Sequence, residues 1–301
     1  MFVPVKTSNP KDVEAAVQTA FLTMFPKGDR LFIPRIFGWA ADFFQGRYAD
    51  YQPIDARYHN FEHTLQGTLC MAKLLANLHV NYHKPEIPQR LTELGLIAML
   101  LHDTGYLKTS DDREGTGAKY TATHVQRSNK FAARFLADKF FLPQEIAMVQ
   151  RMISCTGIDA ALSTIPFANE EERIVGHALG TADLLGQMAA DDYVEKLPVL
   201  YSEFAEAAAF NPDRSTYVAM FTSSGDLMAK TPVFWDKYVK VKLERDFGGL
   251  YKYLSHPYPS GPNWYMGRIE LNIAKLRQHL VGDTARFLKT GNTAKFYRTQ
   301  I

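Results

Sequence analysis

The chain has 301 residues, 46% of them apolar and 22% charged, with 34 Lys and Arg against 32 Asp and Glu. That length and balance can bury a full core without disulfides and rule out a disordered, collagenous or coiled-coil chain. The net charge of +2 gives no broad field for nucleic acid, and two cysteines, Cys70 and Cys155, cannot staple a secreted framework. The opening MFVPVKTSNP lacks the basic and then apolar pattern of a secretion signal. The densest apolar run, Gly95 to Leu101, falls far short of the roughly 18 residues that cross a bilayer. The expectation is a cytoplasmic protein with neither membrane nor nucleic acid as partner.

Helical periodicity runs through nearly the whole chain. Residues 12–25 put Val13, Ala16, Val17, Ala20, Phe21 and Met24 on one stripe, behind Ser8 and Asn9 as candidate caps and a first-turn Pro10. Further stripes cover 61–80, 88–103, 121–140, 143–155, 169–190, 192–210, 232–254 and 264–280. No alternating apolar-polar run is bounded by turn residues, so an all-α architecture follows. Two stretches interrupt it. Residues 104–119, TGYLKTSDDREGTGAK, form a polar loop longer than most helix connections, and 255–263, SHPYPSGPN, break the pattern with three prolines and a glycine. No repeat or Ser/Gly linker divides the chain, so one helical domain over 1–301 is expected. Apolar helix faces serve cores and interfaces alike, which leaves a homodimer open.

The chemistry-bearing residues sit at four places. His59 and His63 in YHNFEH are four apart and share one helix face. His102 and Asp103 end the apolar run LGLIAMLLHD, where a buried charge is costly unless paired or metal-bound. Asp183 lies inside ALGTADLLGQM, and an ionised carboxylate there needs a cation, strong donors or a raised pKa. His63, His102, Asp103 and Asp183 thus form a nitrogen and oxygen donor set from three helices. Such a set suits Zn, Mn, Fe or Co, with Mg at a more oxygen-rich neighbouring position.

YHNFEH, LIAMLLHDTGY and TADLLG, in that order over about residues 51–190, resemble the HD superfamily of metal-dependent phosphohydrolases. The resemblance is to the branch with the all-helical bundle fold of cyclic-nucleotide phosphodiesterases. It implies a metal-binding core over 51–190, with helices before residue 50 and after residue 191 packed on it. It also implies metal ligation by His63, His102, Asp103 and Asp183, and His59 as proton donor to the leaving oxygen. This chain departs from the pattern in reading HDTGY, which puts Tyr106 where a second nearby histidine is usual. His124 matches the first of two further histidines found in two-metal members, whereas Cys155 stands where the second is expected. A lone Cys in a helical core behaves as a small apolar residue, so the second metal position rests on His124 and a bridging Asp103.

The expected reaction is hydrolysis of a phosphate ester, with a nucleotide-like small molecule as partner, one or two divalent ions as cofactor, and catalysis by His59 and Asp103. Glu62 is a candidate to orient an imidazole, although a solvated role suits it better. Lys108, Arg113 and Lys119 on the long loop, and Arg127 beside His124, are candidate phosphate contacts. Phe234, Trp264 and Tyr265 are candidates to stack on a base, with core packing the default. His79, His83, His177, His256 and His279 have no motif around them. Two other function classes stay open: a catalytically silent HD domain that regulates by binding a nucleotide, and a di-iron HD oxygenase.

Overall fold

The computed structural model describes residues 5–82, 85–157, 160–211 and 220–290, the stretch from 280 as backbone only. Among the described residues there are ten α-helices: α1 (Pro10–Met24), α2 (Phe32–Phe44), α3 (Phe61–Asn81), α4 (Gln89–Leu101), α5 (His124–Asp138), α6 (Pro143–Ile153), α7 (Glu170–Met188), α8 (Tyr193–Phe210), α9 (Ser224–Phe234) and α10 (Trp264–Thr290). Among the described residues there is no sheet, only two isolated bridges, Tyr51 with Thr109 and Ser255 with Asn263. The all-α expectation holds, and no described helix is long and apolar enough to cross a membrane.

Three elements differ from the periodicity; one is α9, which starts at a Ser223 cap well ahead of the 232–254 stripe. Helix α2 was hidden by Pro34 and Gly38, yet Phe32, Ile33, Ile36, Phe37, Ala40 and Phe43 all face the core. Pro34 is tolerated because it sits in the first turn, where no intrahelical donor is needed. The stripe over 232–254 is not one α-helix. Past Phe234 the chain continues through π-helical turns at Trp235–Val239 and Lys242–Asp246, and ends at two left-handed glycines, Gly248 and Gly249.

Helices α3, α4 and α7 form the centre. α4 is buried on every side from Leu91 to Leu101, and α3 is buried over most of His63–Leu78. Such all-round burial is the signature of an interior helix rather than a surface one. Small residues let these helices approach. A Cβ on Gly186 of α7 would come within 2.7 Å of the Gly67 nitrogen on α3, and one on Gly95 of α4 within 2.4 Å of Val175. Side-chain oxygens cap the functional helices at their starts: Asn60 accepts from the His63 N–H, and Asn169 from the Glu172 N–H.

The α3–α7 crossing is therefore set by backbone contact. Gly186→Ala should lower unfolding free energy by about 1–3 kcal/mol in a urea titration, because backbone has to move. Gly267→Ala on the exposed face of α10, where an added Cβ meets nothing within 4 Å, should raise it by about 0.5–1 kcal/mol.

Candidate metal centre

His63 lies in the first turn of α3, its backbone held by the Asn60 cap. α4 delivers His102 at its C-terminal cap and Asp103 one residue later, where the chain turns into a 3-10 segment, Thr104–Tyr106. Ser128 of α5 fixes that turn, accepting from the Gly105 N–H and donating to the His102 carbonyl. Asp183 comes from the middle of α7. Three segments far apart in sequence thus bring four side chains to one point. His63 Nε2 is 3.3 Å from both Asp103 Oδ2 and Asp183 Oδ1, and His102 Nε2 is 3.2 Å and 3.4 Å from the same two oxygens.

His63, His102 and Asp103 each offer a buried ligand atom within 4.8 Å of the other two, a group that could hold a divalent ion, and Asp183 lies beside them. With metal–ligand bonds of about 2.1 Å, adjacent donors stand about 3.0 Å apart at a right angle and about 3.4 Å at the tetrahedral angle. The N–O separations fall in that range. His102 Nε2, Asp103 Oδ2 and Asp183 Oδ1 are all buried and, despite their closeness, make no hydrogen bond of good geometry. His102 Nδ1–H donates to the Met99 carbonyl at 2.7 Å, so its Nε2 lone pair points inward, the arrangement that orients a ligating imidazole. Burial pushes the His63 imidazole down, but Asp103 and Asp183 outweigh it and hold it up at about 9. Burial would raise both carboxyls, and the two imidazoles instead hold Asp103 and Asp183 well below the carboxylate range. Two ionised carboxylates in a buried place demand positive charge, which protons or a cation can supply.

His59 stands beside this cluster, its ring 5.4 Å from that of His63. Its Nδ1 is 2.6 Å from Glu203 Oε2 on α8, and the other oxygen of that buried carboxylate accepts from the Tyr58 N–H. A carboxylate only accepts, so Nδ1 carries the hydrogen and Nε2 is left to exchange a proton. Sequence reasoning missed Glu203, which sits in SEFAEAAAF with nothing local to mark it. Glu62 is instead engaged with Lys196 and Thr7. Tyr106 is stacked between His59 and His124, at 4.6 Å and 5.1 Å. His124 Nδ1–H donates to the Thr121 carbonyl, and its Nε2 lies 4.0 Å from Asp103 Oδ1. Burial pushes its imidazole down against the pull of Asp103.

The cluster opens into a cavity of about 230 Å³, with His59, His63, Asp103, Tyr106, His124 and Asp183 at one end. None of the four candidate phosphate contacts lines it. Lys119 is committed to Asp112 and the Glu114 carbonyl, and Lys108 to Asp55 and the Gly115 carbonyl. Arg127 donates to the carbonyls of Gly105 and Leu107 and lies over the Tyr120 ring at 3.5 Å. Lys108 and Lys119 thus bind the 104–119 segment to itself and to Asp55, and Arg127 ties it to α5, so Lys119 and Arg127, expected as substrate contacts, lie outside the cavity lining; Arg113 is exposed. Among the described residues the cations that do line the cavity are Lys230, which lay between the periodic stripes, and Lys242, which the periodicity marked only as helical. Phe234 lines it too, whereas Trp264 and Tyr265 pack on each other at the start of α10.

Cys155 reaches the cavity wall as a thiol pushed up to about 12 by burial, its Sγ near the Arg151 carbonyl, as expected of a small apolar residue. His177 is buried between Phe167 and Phe247 and pushed down to about 4 by burial and then Arg173. His79, His256 and His279 are exposed, and His83 lies outside the described residues.

The Npun_R2479-like family matches residues 16–251. The chain belongs to that family. The match takes in all four clustered residues together with His59, His124 and Glu203. Its description names no activity and makes no link to the HD superfamily, and no curated protein matches the chain.

If the cluster holds an ion, chelator-stripped protein should gain about 2.7 kcal/mol of stability at a free Mn or Zn concentration one hundred times its dissociation constant. Thermal unfolding checks this. Asp183→Asn and His102→Ala should abolish the shift and lower bound metal in elemental analysis.

Proposed function

We propose that this protein is a metal-dependent phosphoric ester hydrolase of the HD type, acting on a phosphate mono- or diester. The observation that carries the reading is the pairing of two functions in one cavity. A buried set of two imidazoles and two carboxylates lies beside a histidine whose far nitrogen is fixed by Glu203. The order of YHNFEH, LLHDTGY and TADLLG along the chain supports the same reading.

His63, His102, Asp103 and Asp183 would hold the ion. A divalent cation there supplies Lewis-acid polarisation of water and neutralises charge on the phosphoryl oxygens. As the bond from water oxygen to phosphorus forms and the ester P–O bond breaks, the leaving oxygen must gain a proton. His59 Nε2 delivers it, and the Glu203 carboxylate on Nδ1 keeps the ring oriented throughout. Tyr106, stacked on the His59 ring, prevents it from swinging away. Asp103 presents Oδ2 to His63 and His102 and Oδ1 toward His124, so its carboxylate is placed to serve a second ion alongside His124.

Loading with Mn, Zn, Mg, Co or Fe, followed by elemental analysis and turnover of bis-p-nitrophenyl phosphate, tests the reading. His59→Ala should keep its ion and lose about 10²–10⁴ in kcat, whereas Asp103→Ala should lose both. Full turnover in the His59 variant removes the acid role. Tightly held iron with visible absorbance and no ester turnover would favour an oxygenase, and a chain that binds no ion a silent regulator.

A further inference from the structure

The cavity beyond the cluster is made by α7, α8, α9 and the π-helical segment after it. Its wall is hydrocarbon: Leu184, Leu197, Leu200, Leu227, Phe234 and Phe247. The polar side chains among the lining residues are largely spent on the protein itself. Gln187 donates to the Asp183 carbonyl and accepts from the Tyr58 hydroxyl. Thr121, Thr156 and Thr231 each donate to a carbonyl of their own turn. Lys230 pairs with Asp226 and the Met220 carbonyl, and Lys242 lies against the rings of Tyr238 and Phe247 with Asp246 at 3.9 Å.

A nucleoside brings base edges and ribose hydroxyls that lose water on entering and need donors and acceptors in return. This wall meets few of them. A hydrocarbon chain asks for nothing but contact, and each methylene that leaves water here is stabilised.

We propose that the cavity takes an apolar substituent of the substrate, so that the ester is the phosphate of an alkyl or aryl-alkyl alcohol rather than of a nucleoside. The inference rests on the hydrolase reading for its chemistry and on the cavity wall for its ligand class. Water's oxygen joins phosphorus, the bond from phosphorus to the alcohol oxygen breaks, and the proton from His59 leaves with the alcohol. The apolar product then occupies the wall, and the charged phosphate stays at the cluster.

Ethyl, butyl, hexyl and octyl phosphates, as monoesters and as methyl diesters below their micelle-forming concentrations, test this against thymidine 5′-phosphate and its methyl ester. Alcohol release is read by proton NMR. kcat/KM is expected to rise by about fourfold per methylene over the shorter chains, with the thymidine esters well below hexyl. Leu200→Trp, which fills the wall from a half-buried position on α8, should flatten that rise. A flat profile in the unaltered protein, or a preference for the thymidine esters, overturns the inference while leaving the hydrolase reading in place. If no ester is cleaved, calorimetry of the same monophosphates on chelator-stripped protein decides. Affinity that tightens with chain length sustains the ligand class while the hydrolase reading falls, and affinity independent of length overturns the inference.

Discussion

Two ionised carboxylates, Asp103 and Asp183, face two imidazoles deep inside the helical bundle, and the rest of the arrangement follows from satisfying them. Buried negative charge of this kind is tolerated only when positive charge or a dense set of donors is held close. Here the two imidazoles supply the nearby donors, and three of the inward-facing atoms still lack a well-formed hydrogen bond. Replacing this cluster with hydrocarbon would suit the core better. Met99 and the Asn60 cap orient members of this cluster, and under the proposed reading a cation would meet the polar atoms that remain unpaired at its centre.

The surroundings are built to keep that geometry rigid. The chain after Asp103 is pinned by Ser128 and Arg127 from α5, and the far end of the loop by Asp55 and Glu206, which accept the Gly117 and Thr116 N–H groups. Lys108 and Lys119, buried with their stems in the protein, tie the same loop to itself. A long polar loop is thus tied down at several points, with Lys108, Asp112 and Lys119 paired inward while Asp111, Arg113 and Glu114 face solvent. His59 is treated in the same way, held by Glu203 on one nitrogen and by Tyr106 on its face.

The cavity is chemically divided. One end gathers the imidazoles and carboxylates, and the other is leucine and phenylalanine from four segments. Under the proposed reading, a ligand with a charged head and an apolar body would match both. The π-helical turns after α9 contribute to this division. They widen the helix where Tyr238 and Lys242 meet the cavity, in keeping with the frequent placement of such turns at functional sites.

The helices themselves were legible from the chain, because apolar residues at steps of three and four report burial directly. The local motifs also marked His59, His63, His102, Asp103 and Asp183, since polar residues inside apolar runs need a reason to be there. α2 and the irregular 232–254 segment were less visible, as a first-turn proline and a wider helical turn both disturb the period. Glu203, Lys230 and Lys242 carried no local sign, and Lys119 and Arg127 looked like surface cations free to meet a phosphate. The sequence by itself determined an all-helical chain and marked a small set of polar residues inside its apolar runs. Which carboxylate orients His59, which cations brace a loop and which wall a ligand meets were decided only by tertiary packing, because those contacts join segments as far apart as His59 and Glu203.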